Sequence, residues 1–112
     1  MTAKRNILAS GMKTVPTGVA ETIVPASVVN NNASCLWIKS DDGAAINGNT
    51  AVIFHSEDAA MAAANKPGSR PGETHSWDAG PSSPSEPMLL EFKTIYCISG
   101  TAGQILMWEL LG

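Results

Sequence analysis

Charge is scarce in this chain. Only 15% of its 112 residues are Asp, Glu, Lys or Arg, against ~25% in an ordinary soluble domain. A surface with so few charges suits a protein partly covered by a partner or by copies of itself. A thin sheet protein kept soluble by Ser, Asn, Thr and Gly would show the same composition. No apolar run approaches the ~18 residues that cross a membrane. The N-terminus has no long apolar stretch of the secretory kind, so neither a span nor a signal is expected. A nucleic-acid partner is not expected either. Lys4, Arg5 and Lys13 are few, and no aromatic residues interleave with them.

Material for chemistry is also thin. There are two histidines and two cysteines. No Gly-x-Ser-x-Gly or phosphate-loop motif occurs, and no histidine is spaced for a nucleophilic triad. The turn at 100–103 precedes no helix, so it lacks the N-terminus that would cradle a phosphate. His55 and His75 each have a carboxylate nearby, Glu57 and Asp78. A site of two histidines and one carboxylate is conceivable for a metal in a jelly roll. The plainer reading has both histidines ending strands and bonding to backbone or water. Cys35 and Cys97 fit no zinc or redox spacing. They read as two buried thiols, with a bridge between neighbouring strands as the oxidising alternative. No enzyme activity, cofactor or metal is expected.

What the chain does have is strand signal. Leu36 and Ile38 fall on one face of Ser34-Cys-Leu-Trp-Ile-Lys39, Cys35 and Trp37 on the other. Apolar groups on both faces predict a strand covered on both sides. Residues 18–24, closed by Pro25, and 50–55 read as further strands, and 73–78 as one with His75 and Trp77 on a shared face. Near the C-terminus, two apolar runs flank Gly100-Thr-Ala-Gly103, which predicts a β-hairpin. In its second run Leu106, Trp108 and Leu110 share a face. Asn47-Gly48 predicts another tight hairpin turn. A run from 88 to 99 is too long for one strand, so a break is expected near Lys93. Ser56 can cap a short helix through 59–64, stopped at Lys66-Pro67-Gly68, with a small-residue loop as the alternative. The segment 79–87, rich in Pro and Ser, is expected as surface loop.

Six or seven strands and at most one short helix predict an all-β fold, a single antiparallel β-sandwich or jelly roll. At this length the chain is one domain that buries roughly two thirds of its unfolded surface. Residues 1–16 read as an extended N-terminal arm and 17–112 as the sandwich. The arm is basic: Lys4, Arg5 and Lys13 precede the first acid, Glu21, giving +3. The remaining four bases against ten acids give −6. Such an arm suits an acidic neighbour. Of the three tryptophans, Trp37 and Trp108 lie in apolar strands and read as core or subunit packing. Trp77, beside the Pro-rich loops, is the candidate exposed contact.

The succession Val24-Pro-Ala26, Ser34-Cys-Leu-Trp-Ile-Lys39, Ala51-Val-Ile-Phe54, Pro71-Gly-Glu73, Ile95-Tyr-Cys-Ile-Ser-Gly100 and Gln104-Ile-Leu-Met-Trp108 resembles small virion proteins of tailed bacteriophages. It spans about residues 18–111 and is a pattern of strands and turns. Residues 59–64 and 80–87 look like insertions in it. The resemblance implies a sandwich or jelly roll on a phage particle, made in the host bacterial cytoplasm and mounted on the capsid surface. The implied role is capsid decoration, or cement, with the major capsid protein as partner and a homo-oligomer, a trimer by preference. Lys4, Arg5, Ile7, Leu8, Met12 and Lys13 would then contact the capsid or a neighbouring subunit. A tail, head-spike or fibre-base component and a carbohydrate-binding module built on Trp77 are the alternatives.

Overall fold

A computed structural model describes residues 7–29, 33–41, 43, 48–62, 66–78 and 91–112. The described residues form eight strands. They are β1 (Ile7–Thr14), β2 (Glu21–Thr22), β3 (Cys35–Ser40), β4 (Ile53–Ser56), β5 (Gly68–Ser69), β6 (Thr74–Asp78), β7 (Tyr96–Ser99) and β8 (Ile105–Leu111). Two four-stranded sheets result, ordered β1-β8-β3-β6 and β2-β7-β4-β5. Every strand pair is antiparallel. Only β4 and β5 are neighbours both along the chain and within a sheet. Every other step from strand to strand crosses between sheets. That eight-strand order is a jelly roll, so the expected all-β sandwich is what these residues form.

The core lies between the sheets. From the first sheet come Leu36, Ile38, Leu106, Trp108 and Leu110. The second supplies Ile53 and Cys97, and the connections add Val15, Ile23, Val24, Phe92 and Ile95. The alternation expected in β3 and β8 is present: Leu36 and Ile38 point inward with Leu106, Trp108 and Leu110, while Trp37 and Met107 point outward. A hydrogen-bonded knot ties the loop after β3 to the start of β8. The Asn49 side chain accepts from Ile105 N at 2.7 Å and donates to Ile105 O at 2.7 Å. It also donates to Ser40 Oγ at 2.8 Å. Gln104 Oε1 accepts from Thr50 N at 2.9 Å and Ala51 N at 3.0 Å. Asn49 thus bonds Ile105 as a neighbouring strand would, beyond the point where β3 ends.

Three expectations are corrected. The segment expected as an arm over 1–16 is, from Ile7 to Thr14, an edge strand paired with β8. Residues 1–6 lie outside the described residues. Its inward positions are Ala9, Gly11 and Lys13, so no large apolar alternation marks it. Trp108 supplies the missing bulk, its indole lying so close that a Cβ on Gly11 would sit 3.0 Å from Cζ2.

The turn at 100–103 does not close a hairpin. β7 pairs with β2 and β4, and β8 with β1 and β3. Strands of one sheet lie ~4.8 Å apart and packed sheets ~10 Å apart, and this loop spans the larger gap. Gly103 takes the positive φ of 84° that the crossing needs. Gly48 likewise leads from β3 to β4, strands of different sheets; Asn47 is outside the described residues.

The helix expected over 56–64 is replaced, as far as Ala62, by tight turns. Ser56 Oγ accepts from Asp58 N at 3.1 Å, and Asp58 Oδ1 accepts from Ala60 N at 2.9 Å. Side chains that bond the local backbone compete with helix formation. Residues 63–65 and 79–87 lie outside the described residues. The break expected near Lys93 is a turn in which Thr94 N donates to Glu91 O at 3.1 Å.

Candidate interaction surface

The two sheets treat their outer faces differently. On the β2-β7-β4-β5 sheet, Phe54, Tyr96 and Ile98 point outward. The turns after β4 fold Met61 onto them, and Ala20 completes a small second core. The outer face of the other sheet carries Met12 on β1, Ile105 and Met107 on β8, and Trp37 on β3. Met12 is 60% exposed, the others half-buried. Register places Met12 directly beside Met107, and Trp37 beside Glu109 and one diagonal step from Met107. Ser10, Met12, Trp37, Met107 and Glu109 line a shallow groove there. Being open rather than enclosed, it suits a protein surface better than a small ligand.

The residues singled out from sequence divide between this surface and internal roles. Lys4 and Arg5 lie outside the described residues. Ile7 is 62% exposed at the start of β1. Leu8 packs against the main core and sits beneath Gly112. Lys13 turns inward at the sandwich edge and pairs with Glu21, the first acid, which bridges the sheets. Leu8 and Lys13 are therefore occupied internally, and Met12 and Ile7 are the ones facing solvent.

Trp77 is half-buried rather than an exposed platform. It lies on the inward face of β6 with His75, opposite Leu36 and Ile38. His55 enters from β4 in the facing sheet. The His55 and His75 ring centroids are 4.7 Å apart, and Trp77 meets them edge-on at 5.2 and 4.7 Å. His55 Nε2 bonds Ser69 Oγ at 3.0 Å. The histidines do not simply end strands; with Trp77 they close the open side of the sandwich where β5 is only two residues long. Burial, and then the charge of His75, push the His55 pKa from 6.5 down to about 4, against a backbone hydrogen bond that raises it. The two imidazoles are neighbours, but no group of three or more metal-ligating side chains occurs among the described residues.

Cys35 and Cys97 are buried thiols in different sheets. Burial, opposed by Lys13 and reinforced by Glu21, pushes the Cys97 pKa up to about 12, so it is an inert core group.

Met12, singled out from sequence as part of an arm, lies on strand β1 with its side chain exposed. Met107 was missed, although the double-sided apolar character of its strand was the available signal. No protein-family model, curated protein or solved structure matches this chain.

Proposed function

We propose that this protein is a structural component of a phage particle that decorates the capsid, using the outer face of the β1-β8-β3-β6 sheet as its attachment surface. One observation carries the reading. The chain covers the outer face of one sheet with its own Met61 and leaves Met12, Met107 and Trp37 on the other. Aromatic and methionine side chains at the centre of a patch with polar neighbours match the composition of protein interfaces. The resemblance of residues 18–111 to small tailed-phage virion proteins supplies the setting, and the low charge fits a surface meant to be covered.

Attachment would work by repetition. A single small apolar face binds weakly, but copies presented on a lattice dissociate together only rarely. Ile7 and Met12 belong to the contact, with Lys4 and Arg5 preceding them toward an acidic neighbour. Leu8 and Lys13 support β1 from within.

The test is the copy number of this chain in purified particles, relative to the major capsid protein, by quantitative mass spectrometry. A ratio near one or a simple fraction supports decoration. A few per cent moves the protein to the tail or a spike, and absence from particles overturns the proposal. Attachment is then probed with Trp37→Ala, and with a deletion limited to residues 2–6. A longer deletion would remove β1 and with it the fold. The carbohydrate-binding alternative has less support, because Trp77 is half-buried and packed against two imidazoles.

A further inference from the structure

Among the described residues nothing pairs with the outer edge of β1, and that edge has the chemistry of an unfinished sheet. Val15 N donates to Gln104 O at 3.0 Å. With the register of β1 on β8, this makes Lys13/Leu106, Gly11/Trp108 and Ala9/Leu110 the pairs that exchange backbone hydrogen bonds. The contact of Asp41 N with Ile105 O on the other side of β8, at 3.2 Å, agrees. The N–H and C=O groups of Ser10, Met12 and Thr14 therefore point away from β8, along the open edge. Only an extended strand satisfies such a row in full.

Two devices that discourage pairing are present, the inward-turned Lys13 and an irregularity between Ile7 and Ala9, but from Ala9 to Thr14 the strand keeps an unbroken register. β2 and β5 are edges of two residues each, and β6 ends on the charged Asp78. β1 is the longest strand, has no proline, and its one charge, Lys13, is turned inward onto Glu21.

We infer that β1 pairs antiparallel with β1 of a second copy across a twofold axis at Met12, joining two jelly rolls through one continuous eight-stranded sheet. In that register Ser10 faces Thr14 of the second copy, Met12 faces Met12, and about six new backbone hydrogen bonds form. Lys13 faces Gly11, so like charges are not opposed and the long side chain meets the smallest residue. Shifting the axis to Lys13 would set two lysines against each other, which is destabilising. The same axis makes the two outer faces continuous, with the Met12–Met107–Trp37 groups flanking the seam. A twofold strand seam replaces the trimer that the phage resemblance implies, and it does not depend on the capsid reading.

The test is the oligomeric state of the full chain by light scattering at about 10–100 µM, the range in which small interfaces associate. The expected result is a dimer for the native sequence. Met12→Pro removes only an N–H that faces the open edge, a position where strands tolerate proline. It should weaken the dimer at least ~10-fold, or ~1.4 kcal/mol, with an unchanged circular dichroism spectrum. Should that variant fail to fold, Met12→Cys gives a second reading. Cα atoms of facing residues lie ~5.5 Å apart, within disulfide range. Mild oxidation should then cross-link Met12→Cys into a covalent dimer, and leave Val19→Cys, an exposed control, monomeric. A native monomer or trimer, a dimer indifferent to proline at this position, or cross-linking no faster than the control overturns the seam.

Discussion

The two sheets of this jelly roll divide the work unequally. One has strands of five to eight residues, the other strands of two to four. The long sheet holds the backbone ladder that carries the fold, and on its outer face Met12 is exposed and Trp37 and Met107 are half-buried. The short sheet has little ladder to offer and is held from outside by the chain's own turns, through Met61, Phe54, Tyr96 and Ile98. Where backbone pairing is extensive, an outer face is free to serve a partner. Where it is short, side-chain packing on both faces substitutes for it.

This contrast can be broken first at the core. Trp108→Ala should cost about 4 kcal/mol in urea unfolding, because it removes a large buried side chain. It should also loosen β1, whose Gly11 lies directly against the Trp108 indole. Asn49→Ala comes next, at about 2–3 kcal/mol, since it orphans the Ile105 N–H at the root of β8.

Acid acts on the open side closed by the imidazoles. His55 is held neutral, its pKa lowered in the folded chain, so its contribution is complete above about pH 6.5. It is lost as pH falls from 6.5 through about 4. The size is about 2 kcal/mol once solvent screening on the His75 side is allowed for. A series of unfolding midpoints against pH should show the loss in the native chain and flatten in His55→Phe.

Met61→Ala sharpens the comparison. It should cost about 2 kcal/mol and give the short sheet an exposed apolar outer face, read as a gain in hydrophobic-dye binding by the folded protein. The smallest effect belongs to Met12→Ser, within about 0.5 kcal/mol in stability because the side chain is mostly exposed. Its effect should appear in association instead.

Strands β3 and β8 were legible because of their alternation, Leu36 and Ile38 against Trp37 and Lys39, and Leu106, Trp108 and Leu110 against Met107 and Glu109. β1 was not, since its inward residues are Ala9, Gly11 and Lys13, whose volume comes from Trp108 nearly a hundred residues away in sequence. No local pattern records a space filled by a distant side chain. The turn at 100–103 was legible as a reversal, while the choice between pairing and crossing depended on which strands compete for β8. The cluster of 59–64 reads as helix from its alanines, yet as far as Ala62 Asp58 and Ser56 bond the local backbone first. Of the candidate surface, Met12 was legible as exposed and Trp37 as packing. Their meeting with Met107 required the register of three strands, which only long-range pairing sets.

That long-range pairing also orders events in time. β1 and its partner β8 lie far apart along the chain, and β8 sits between β1 and β3 in the long sheet. β1 and β3 therefore lack their shared neighbour until residues 105–111 have been made, while β3 and β6 can already pair. Folds built from such distant contacts close slowly. A growing chain with open edges is the species most prone to stick to its neighbours. Synthesis rate and chaperone access, rather than final stability, should set how much of this protein reaches its native state.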